Sequence, residues 1–231
     1  MHGTYVRRFS IGATLSIAGL ELLKGGSGST TTNPNSATTV TTDVSSSPAS
    51  SRIGYGATAQ LAITNHFAFA VGAYLRRIGY TSSSTITTDV TTFVNGQPQT
   101  TETTSSTGDD VRARLIDVPF MVRYYNKGRH TPGARFFFEA GGAWRDVSDF
   151  HSSRSSTDTS GNFSCCTNNV VQPAHKSAKG VLGGAGAQFI DPFGIRVVPE
   201  VRYIRWFNDI FNSASTHTQR NQVEANLTLS F

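Results

Sequence analysis

The final nine residues, Val223-Glu-Ala-Asn-Leu-Thr-Leu-Ser-Phe231, indicate the fold class most clearly. Apolar side chains alternate with polar ones, which is the period of a β-strand that has two unlike faces. The same alternation recurs in seven upstream segments, at 9–17, 52–64, 67–79, 112–125, 134–147, 178–190 and 195–207, although the phase of the Gly-rich segment 178–190 is ambiguous. We therefore predict an all-β chain of eight strands, forming one domain over residues 1–231.

The composition is unusual for a soluble enzyme. Charged residues make up 15% of the chain, whereas soluble domains carry about 25%. No window holds the roughly 18 consecutive apolar residues that a membrane-spanning helix needs, which excludes a helical membrane protein. The net charge of +5 is compatible with nucleic acid or phosphorylated lipid. Nucleotide binding has no support, because no phosphate-binding Gly motif opens a helix.

The connections between the predicted strands alternate in length. The links near Asn65, 126–133 and 191–194 are short, whereas long segments lie at about 24–51, 81–111, 149–177 and 208–221, so that the long segments share one end of the fold. The stretch 25–51 has 15 Ser or Thr residues among 27 and a single charge, so it cannot bury a core. The Thr-Thr-Asp-Val pattern at 41–44 and 87–90 leaves two alternatives open, projecting hairpins or disorder.

Alternation alone does not distinguish a soluble barrel with an apolar interior from a membrane barrel with an apolar exterior. The polar face consists mostly of Gly, Ala, Ser and Thr, which suits the narrow lumen of an eight-stranded barrel. The chain also ends on an aromatic residue after an amphipathic strand. Charged residues that lie on the small-residue face are expected to pair across the lumen; they are Asp117, Arg123, Glu139, Glu200, Arg202 and Glu224. These features favour a membrane barrel.

Four segments carry a resemblance to a known family: Ile116-Asp-Val-Pro-Phe-Met-Val-Arg-Tyr124, Phe138-Glu-Ala-Gly-Gly-Ala143, Val198-Pro-Glu-Val-Arg-Tyr203 and Leu227-Thr-Leu-Ser-Phe231. From residue 8 onward, the chain resembles the eight-stranded outer-membrane β-barrels, of the kind found in OmpX, the OmpA membrane domain and the broad outer membrane protein β-barrel domain group. The resemblance implies an antiparallel up-and-down barrel in the bacterial outer membrane. It also implies short periplasmic turns, periplasmic termini and long extracellular loops.

The family resemblance extends to the last strand and to two prolines. In the family, the last strand is a signal for the barrel-insertion machinery, and here Glu224, Leu229 and Phe231 would carry it. Asn226 stands where the family usually has Gly. Pro119 and Pro199 each remove a ladder donor within a strand, so we expect β-bulges at both positions.

Basic residues gather near the predicted long-loop end. We expect a rim that faces lipopolysaccharide phosphates, formed by Arg52, Arg76, Arg77, Arg112, Arg114, Arg145, Lys179 and Arg205. The alternative is that these charges simply end the apolar band. Aromatic residues at both strand ends, Tyr80 and Trp206 among them, are expected to form interfacial girdles.

A catalytic site has one weak candidate. His151-Ser-Ser153 resembles the H-x-S element of outer-membrane lipid A deacylases, in which His is the base and Ser the nucleophile. No acidic residue follows about a dozen positions later to orient the His, so we expect no enzymatic activity. The histidines show no metal-binding spacing, and we expect neither a metal site nor a cofactor.

Cys165 and Cys166 are adjacent and are the only cysteines. A vicinal disulfide, a bond to another chain and a metal site are alternatives, but we expect two ordinary loop thiols.

The sequence as a whole predicts a non-enzymatic outer-membrane barrel that anchors and displays Ser/Thr-rich segments for adhesion, envelope integrity or surface assembly. Its expected partners are outer-membrane lipid, lipopolysaccharide, the barrel-insertion machinery, and other surface proteins or copies of itself, with no nucleic acid. The alternatives are a lipid A-modifying enzyme and a small-solute pore. We expect the narrow lumen to be filled by side chains and closed to ions.

Overall fold

The computed structural model of the chain describes residues 7–131, 133–168, 172–191, 193–213 and 215–231. Thirteen strands lie within these residues: β1 Phe9–Ala18, β2 Leu23–Gly25, β3 Ser27–Asn35, β4 Thr38–Pro48, β5 Ile53–Ala62, β6 Phe67–Val94, β7 Gln97–Tyr125, β8 Arg135–Thr157, β9 Phe163–Asn168, β10 Ser177–Ile190, β11 Arg196–Trp206, β12 Thr216–Thr218 and β13 Asn221–Ser230. Within the described residues, no helix is long and apolar enough to cross a membrane. The prediction of an all-β, antiparallel fold is confirmed.

Eight of the strands pair in a circuit. The order β1-β5-β6-β7-β8-β10-β11-β13 returns to β1, because β1 pairs with β13 as well as with β5. Each of these strands corresponds to one of the predicted alternating segments. The links between β5 and β6, β7 and β8, and β10 and β11 lie at one end of the circuit, which we call the short-turn end. The opposite end is the extension end.

Of the two alternatives left open for the long segments at about 24–51 and 81–111, the structure shows hairpins, and the range 149–177 also contains strand. Strands β3, β4 and β9 lie within 24–51 and 149–177, and β6 and β7 continue through all of 81–111 except a turn at Asn95-Gly96. We call this region the extension sheet. It consists of β3, β4 and β9, together with β6 after Arg77, β7 before Arg114 and β8 after Ser148. Residues 208–221 contain only the short β12 and the start of β13.

Backbone pairing and hydroxyl contacts explain why a chain without a core forms this sheet. Thr favours strands because its branched side chain fits a pleated surface. Hydroxyls also meet across strands, as in Ser45 Oγ to Ser83 Oγ at 2.8 Å and Thr91 Oγ1 to Thr100 Oγ1 at 3.0 Å. The strand ladder satisfies the backbone N–H and C=O groups without an apolar core.

Side chains alternate between the inside and outside of the circuit. Along β13, Leu227 and Leu229 are exposed, whereas Glu224, Asn226 and Thr228 are buried. The outward face is thus apolar and the inward face polar.

The expected bulges at Pro119 and Pro199 are absent, so this prediction was wrong. Pro119 pairs with Ala143 and Pro199 with Leu227 without a shift of register. On the side of β7 that faces β6, the ladder lacks pairs at Pro119 and Val118 but resumes in the same register at Asp117. The missing N–H therefore removes local hydrogen bonds without displacing the strand.

Candidate functional site

The centre of the circuit holds a square of four buried charges. Arg123 donates from Nε to Glu139 Oε2 at 2.9 Å and from Nη2 to Glu200 Oε2 at 2.5 Å. Arg202 donates from Nε to the other Glu139 oxygen at 3.0 Å, and it also contacts Glu200 Oε1. Both carboxylates are bridged by both guanidinium groups, which is the geometry that offsets the cost of burying ions.

A second group of four charges lies nearer the extension end. Arg145 forms a bidentate pair with Asp117, from Nε to Oδ1 at 2.5 Å and from Nη2 to Oδ2 at 2.8 Å. Arg76 contacts Glu224, and its Nη1 lies 3.8 Å from Asp117 Oδ2. Gly54 makes room for this group, because a Cβ there would lie 2.6 Å from the Arg76 Nε.

The two groups contain four cations and four anions, so the interior network is electrically balanced. All six residues predicted as lumen charges lie within it. Arg76 and Arg145 were predicted on the outer rim, and that placement is wrong: they are 2% and 1% exposed. The alternation already indicated their inward placement, since both arginines occupy strand positions in phase with the small inward-facing residues. Their nearness to the long segments was given too much weight.

An apolar layer covers the network at the extension end. Leu22 and Leu23, between β1 and the first long segment, and Ile210 and Phe211 from the last long segment, join the buried cluster of inward side chains. We call these four residues the plug. Tyr80 packs edge-on against Phe211, with ring centroids 5.6 Å apart. Sequence reasoning did not find the plug, because its residues stand in segments without alternation.

Two aromatics expected in an interfacial girdle belong to this interior layer instead. Tyr80 and Trp206 are 4% and 1% exposed. Trp206 lies beneath the plug, where the Arg145 guanidinium stacks 4.1 Å from its ring and Gln222 accepts its indole N–H at 3.0 Å. The aromatic side chain therefore joins the charged layer to the apolar one.

An ion pair restrains the segment that carries half of the plug. Arg220 donates from Nε to Asp209 Oδ1 at 2.8 Å and from Nη2 to Asp209 Oδ2 at 2.6 Å. These hydrogen bonds hold the pKa of the Asp209 carboxyl below its usual range. Next to Asp209, the Ile210 carbonyl accepts the Ala174 N–H at 2.8 Å, which ties the segment to the start of β10.

The other six residues of the predicted rim have exposed side chains; they are Arg52, Arg77, Arg112, Arg114, Lys179 and Arg205. Arg112 pairs with Asp110 at 2.8 Å and Arg114 with Asp149 at 3.1 Å. Arg77 lies directly opposite Arg114 in the β6–β7 register. A groove of about 830 Å³ runs over this outer surface and includes Arg77, Arg112 and Arg114 in its lining.

The residues of the H-x-S element do not form a catalytic pair in the described chain. His151 is exposed, and its Nδ1 lies 3.2 Å from the Asp149 carbonyl and 3.5 Å from Asp149 Oδ1. No hydrogen bond joins the His151 ring to the Ser153 hydroxyl among the described residues.

Cys165 and Cys166 form a vicinal disulfide on β9, which corrects the expectation of two free loop thiols. They lie opposite an irregularity in the β8–β9 register, between Arg154 and Ser156. Cys166 has a positive φ of 73°. Among the described residues, no group of three or more His, Cys, Asp or Glu side chains could hold a metal ion.

A family model and a solved structure are similar to this chain. A family model described as "Outer membrane protein beta-barrel domain" matches residues 4–212. The translocator domain of the autotransporter NalP from Neisseria meningitidis is a solved structure similar at 10% identity and a TM-score of 0.22, with 96% of this chain and 87% of that chain covered. No curated protein sequence matches the chain. The family match spans most of the sequence, and the chain therefore belongs to the outer membrane protein β-barrel domain family of the bacterial outer membrane.

Proposed function

We propose that the protein is a non-enzymatic, closed eight-stranded barrel that anchors the extension sheet in the outer membrane and displays it at the cell surface. The balanced charge network beneath the plug is the observation that carries this proposal. It suits a solid anchor, because a lumen crossed by paired side chains leaves little room for a solute path.

The dimensions of the strands support the membrane assignment. Strands β1, β5 and β13 have ten residues and β11 has eleven, and about 9–11 tilted residues cross a bilayer. Their outward side chains are apolar and exposed, as Ile11, Leu61 and Val201 illustrate. Contact with lipid would cover this surface.

The extension sheet supports the display part of the proposal. Beyond Arg77, β6 continues for 17 residues to Val94, a length of roughly 56 Å at about 3.3 Å per residue. Its surface consists mostly of hydroxyl groups, and β3 is exposed along its whole length. Such a surface suits adhesion or assembly with other surface molecules.

The orientation follows from the count of crossings. Eight crossings return the chain to its starting side, so the start of β1 and the end of β13 lie together at the short-turn end. We assign this end to the periplasm and the extension end to the outside. Glu224, Leu229 and Phe231 would then present the insertion signal on the last strand, with Leu229 and Phe231 facing lipid and Glu224 buried in the finished barrel.

The exposed arginines at the extension end support lipopolysaccharide as a neighbour. Arg77 and Arg114 lie two residues beyond the outward-facing Leu75 and Ile116, at the edge of the apolar band. Directly opposed like charges repel, and a phosphate between them would relieve this repulsion.

Two measurements test the anchor and its orientation. A fluorescent label at Leu227→Cys or Leu229→Cys should be quenched by a lipid-borne quencher, whereas a label at the matched Asn226→Cys or Thr228→Cys should not. An epitope inserted at Gly96 should bind antibody on intact cells, and the same epitope at Gly194 should bind only after permeabilisation. The opposite labelling phase would reject the membrane assignment, and exposure of both epitopes would reject the orientation.

A test of the non-enzymatic assignment uses purified protein incubated with lipid A. We expect the acyl chains to remain unchanged. Release of acyl chains that is lost in Ser153→Ala would replace this proposal with the lipid A-modifying enzyme.

A further inference from the structure

The excess positive charge of the protein is concentrated at the short-turn end. Six basic residues there form what we call the basic end cluster: Arg7, Arg8, Lys127, Arg129, Arg135 and Arg196. Asp191 is the single acidic residue at this end, and the other fourteen basic and fourteen acidic residues balance one another. The whole net charge of +5 therefore belongs to this end.

Arg135 is buried in this cluster with neutral partners. Its side chain is 2% exposed. It donates to the Lys127 carbonyl at 3.2 Å, to Gln188 Oε1 at 3.4 Å and to the Asn65 carbonyl at 3.4 Å. Its guanidinium also stacks 4.1 Å from the Tyr125 ring. These are long contacts to uncharged groups.

Arg196 is equally buried, at 3% exposed. Its Nη2 donates to the Arg7 carbonyl at 3.4 Å. Arg135 lies close by, because β10 pairs with β8 at Gln188–Arg135 and with β11 at Ile190–Arg196. Among the described residues, neither Arg135 nor Arg196 has a carboxylate within ion-pair distance, in contrast to all four arginines of the central network.

The nearby Asp191 does not supply the missing negative charge. Its Oδ1 accepts the backbone N–H of Phe193 at 3.0 Å and of Ile195 at 2.7 Å. The carboxylate is thus engaged in shaping the β10–β11 turn. Guanidinium groups buried without an opposite charge are costly, so the arrangement fits a negatively charged ligand from outside the chain.

A cavity opens at the short-turn end, beside Asn65, whose carbonyl contacts Arg135. It measures about 300 Å³ and is lined by Arg8, Ile63, Thr64, Asn65 and Arg129. The Asn65 carbonyl in its wall accepts from Arg135 Nη2 and from the Arg129 backbone N–H. Two members of the basic end cluster, Arg8 and Arg129, therefore border a space for a small solute, and Asn65 in its lining connects this space to Arg135.

We propose that the short-turn end binds a phosphate group, with Arg135 and Arg196 as the buried contacts and Arg8 and Arg129 at the entrance. A guanidinium fork matches the oxygen spacing of phosphate and donates two parallel hydrogen bonds to it. The group comes either from free phosphate or from the headgroup of a phospholipid in the adjacent leaflet. The inference goes beyond the surface-display function and does not depend on it.

The test is thermal unfolding of the purified, folded barrel in an uncharged detergent. Inorganic phosphate should raise the Tm relative to sodium chloride at the same ionic strength, because a ligand that binds only the folded state stabilises it. Short-chain phosphatidic acid and acetate form two further arms. A shift with inorganic phosphate identifies a site for the free ion, and a shift with phosphatidic acid alone identifies a headgroup site.

Two double variants make the test specific. Arg135→Gln with Arg196→Gln should lose the phosphate-dependent shift, with an apparent Kd raised at least tenfold. The control with the same loss of charge, Lys24→Gln with Lys176→Gln at the opposite end, should keep the shift, because both side chains are exposed. Without phosphate, the first variant should be at least as stable as the wild type, since two uncompensated charges are removed.

Three outcomes would overturn the proposal. These are no shift in the wild type with either phosphate compound, an equal shift with chloride or acetate, and an undiminished shift in the Arg135/Arg196 variant. The wild-type comparison needs no variant, so the proposal stays falsifiable even if the double variant fails to fold. The epitope and lipid A measurements are independent of this site, so their failure is separable from the failure of phosphate binding.

Discussion

At the scale of single residues, the buried arginines differ in the kind of partner they contact. Arg76, Arg123, Arg145 and Arg202 meet carboxylates, whereas Arg135 and Arg196 meet neutral groups. Breaking a buried ion pair on one side leaves an uncompensated charge and costs about 3–5 kcal/mol. Removing an exposed arginine costs far less, since exposed pairs are worth about 0–1 kcal/mol.

This difference predicts the effect of Arg145→Met. Asp117 would lose its bidentate partner and keep only Arg76, whose Nη1 lies 3.8 Å away. We expect the free energy of unfolding in detergent and urea to fall by about 3–5 kcal/mol. Arg205→Met is the matched control, because Arg205 is exposed and was predicted on the same rim. Equal losses in the two variants would contradict the interior placement of Arg145.

A second residue-scale prediction concerns pH. The hydrogen bonds from Arg220 lower the pKa of Asp209 in the folded protein. A depressed carboxyl pKa contributes stability above the unfolded pKa of about 3.9 and loses that contribution as the pH falls through the folded value. The protection factors of residues 208–213 against hydrogen exchange, which correct for the intrinsic pH dependence of exchange, should therefore fall below about pH 4. In Asp209→Asn, exchange should already be faster at neutral pH and show a smaller acid-dependent change.

At the scale of elements, the extension sheet and the barrel separate physically. No residue between 84 and 107 belongs to the buried core. The sheet is held by backbone ladders and hydroxyl contacts instead, and only the residues nearest the barrel pack against its buried core.

This separation predicts that the sheet can be shortened. Deletion of 84–107, with Ser83 joined to Gly108 through Asn-Gly, should leave a hairpin, because these residues face each other in the register. We expect the Tm of the barrel to change by only a few degrees, measured by circular dichroism in detergent. Loss of barrel folding would show that the extension sheet is needed for assembly.

The plug leads to a different element-scale prediction. Phe211 is buried against Tyr80, whereas Phe207 in the same segment is 54% exposed. Phe211→Ala should release residues 208–213 to faster hydrogen exchange, since Ile210 is the only other buried apolar side chain among these residues. Phe207→Ala should leave exchange unchanged. A similar response in both variants would argue against an anchoring role for Phe211.

At the scale of the whole molecule, three layers follow one another along the interior: the basic end cluster, the balanced network and the plug. The balanced network and the plug each fill the lumen of the proposed barrel. Planar-bilayer recording should therefore show no steady ion current for the wild type, and none for Phe211→Ala, because the network remains. A reproducible open state in the wild type would favour a pore over the closed anchor.

How much the sequence revealed differs between strands and contacts. The terminal alternation from Val223 to Phe231 predicted both the strand and its two faces, since successive side chains of any strand point to opposite sides. The six predicted lumen charges were identified from parity alone. The same parity applied to Arg76 and Arg145, but an argument from their position near the long segments overrode it.

Strand register explains what the sequence could not show. Arg123 lies opposite Glu139 and Asp117 opposite Arg145 because β7 and β8 pair in that alignment. Glu224 lies opposite Arg202, yet its ion pair is with Arg76, which reaches it across the interior. Register and curvature depend on all eight strands together, so no single segment contains them.

The sequence by itself determined the strand period, the apolar exterior and the polar interior, because these are properties of residues at a spacing of two. Only the tertiary structure decided which charges pair, that Leu22 and Phe211 meet over the network, and that Arg135 and Arg196 are buried without a carboxylate. Each of these depends on residues far apart in the chain. Closing the strand circuit brings them together, and that closure is a property of the whole sheet.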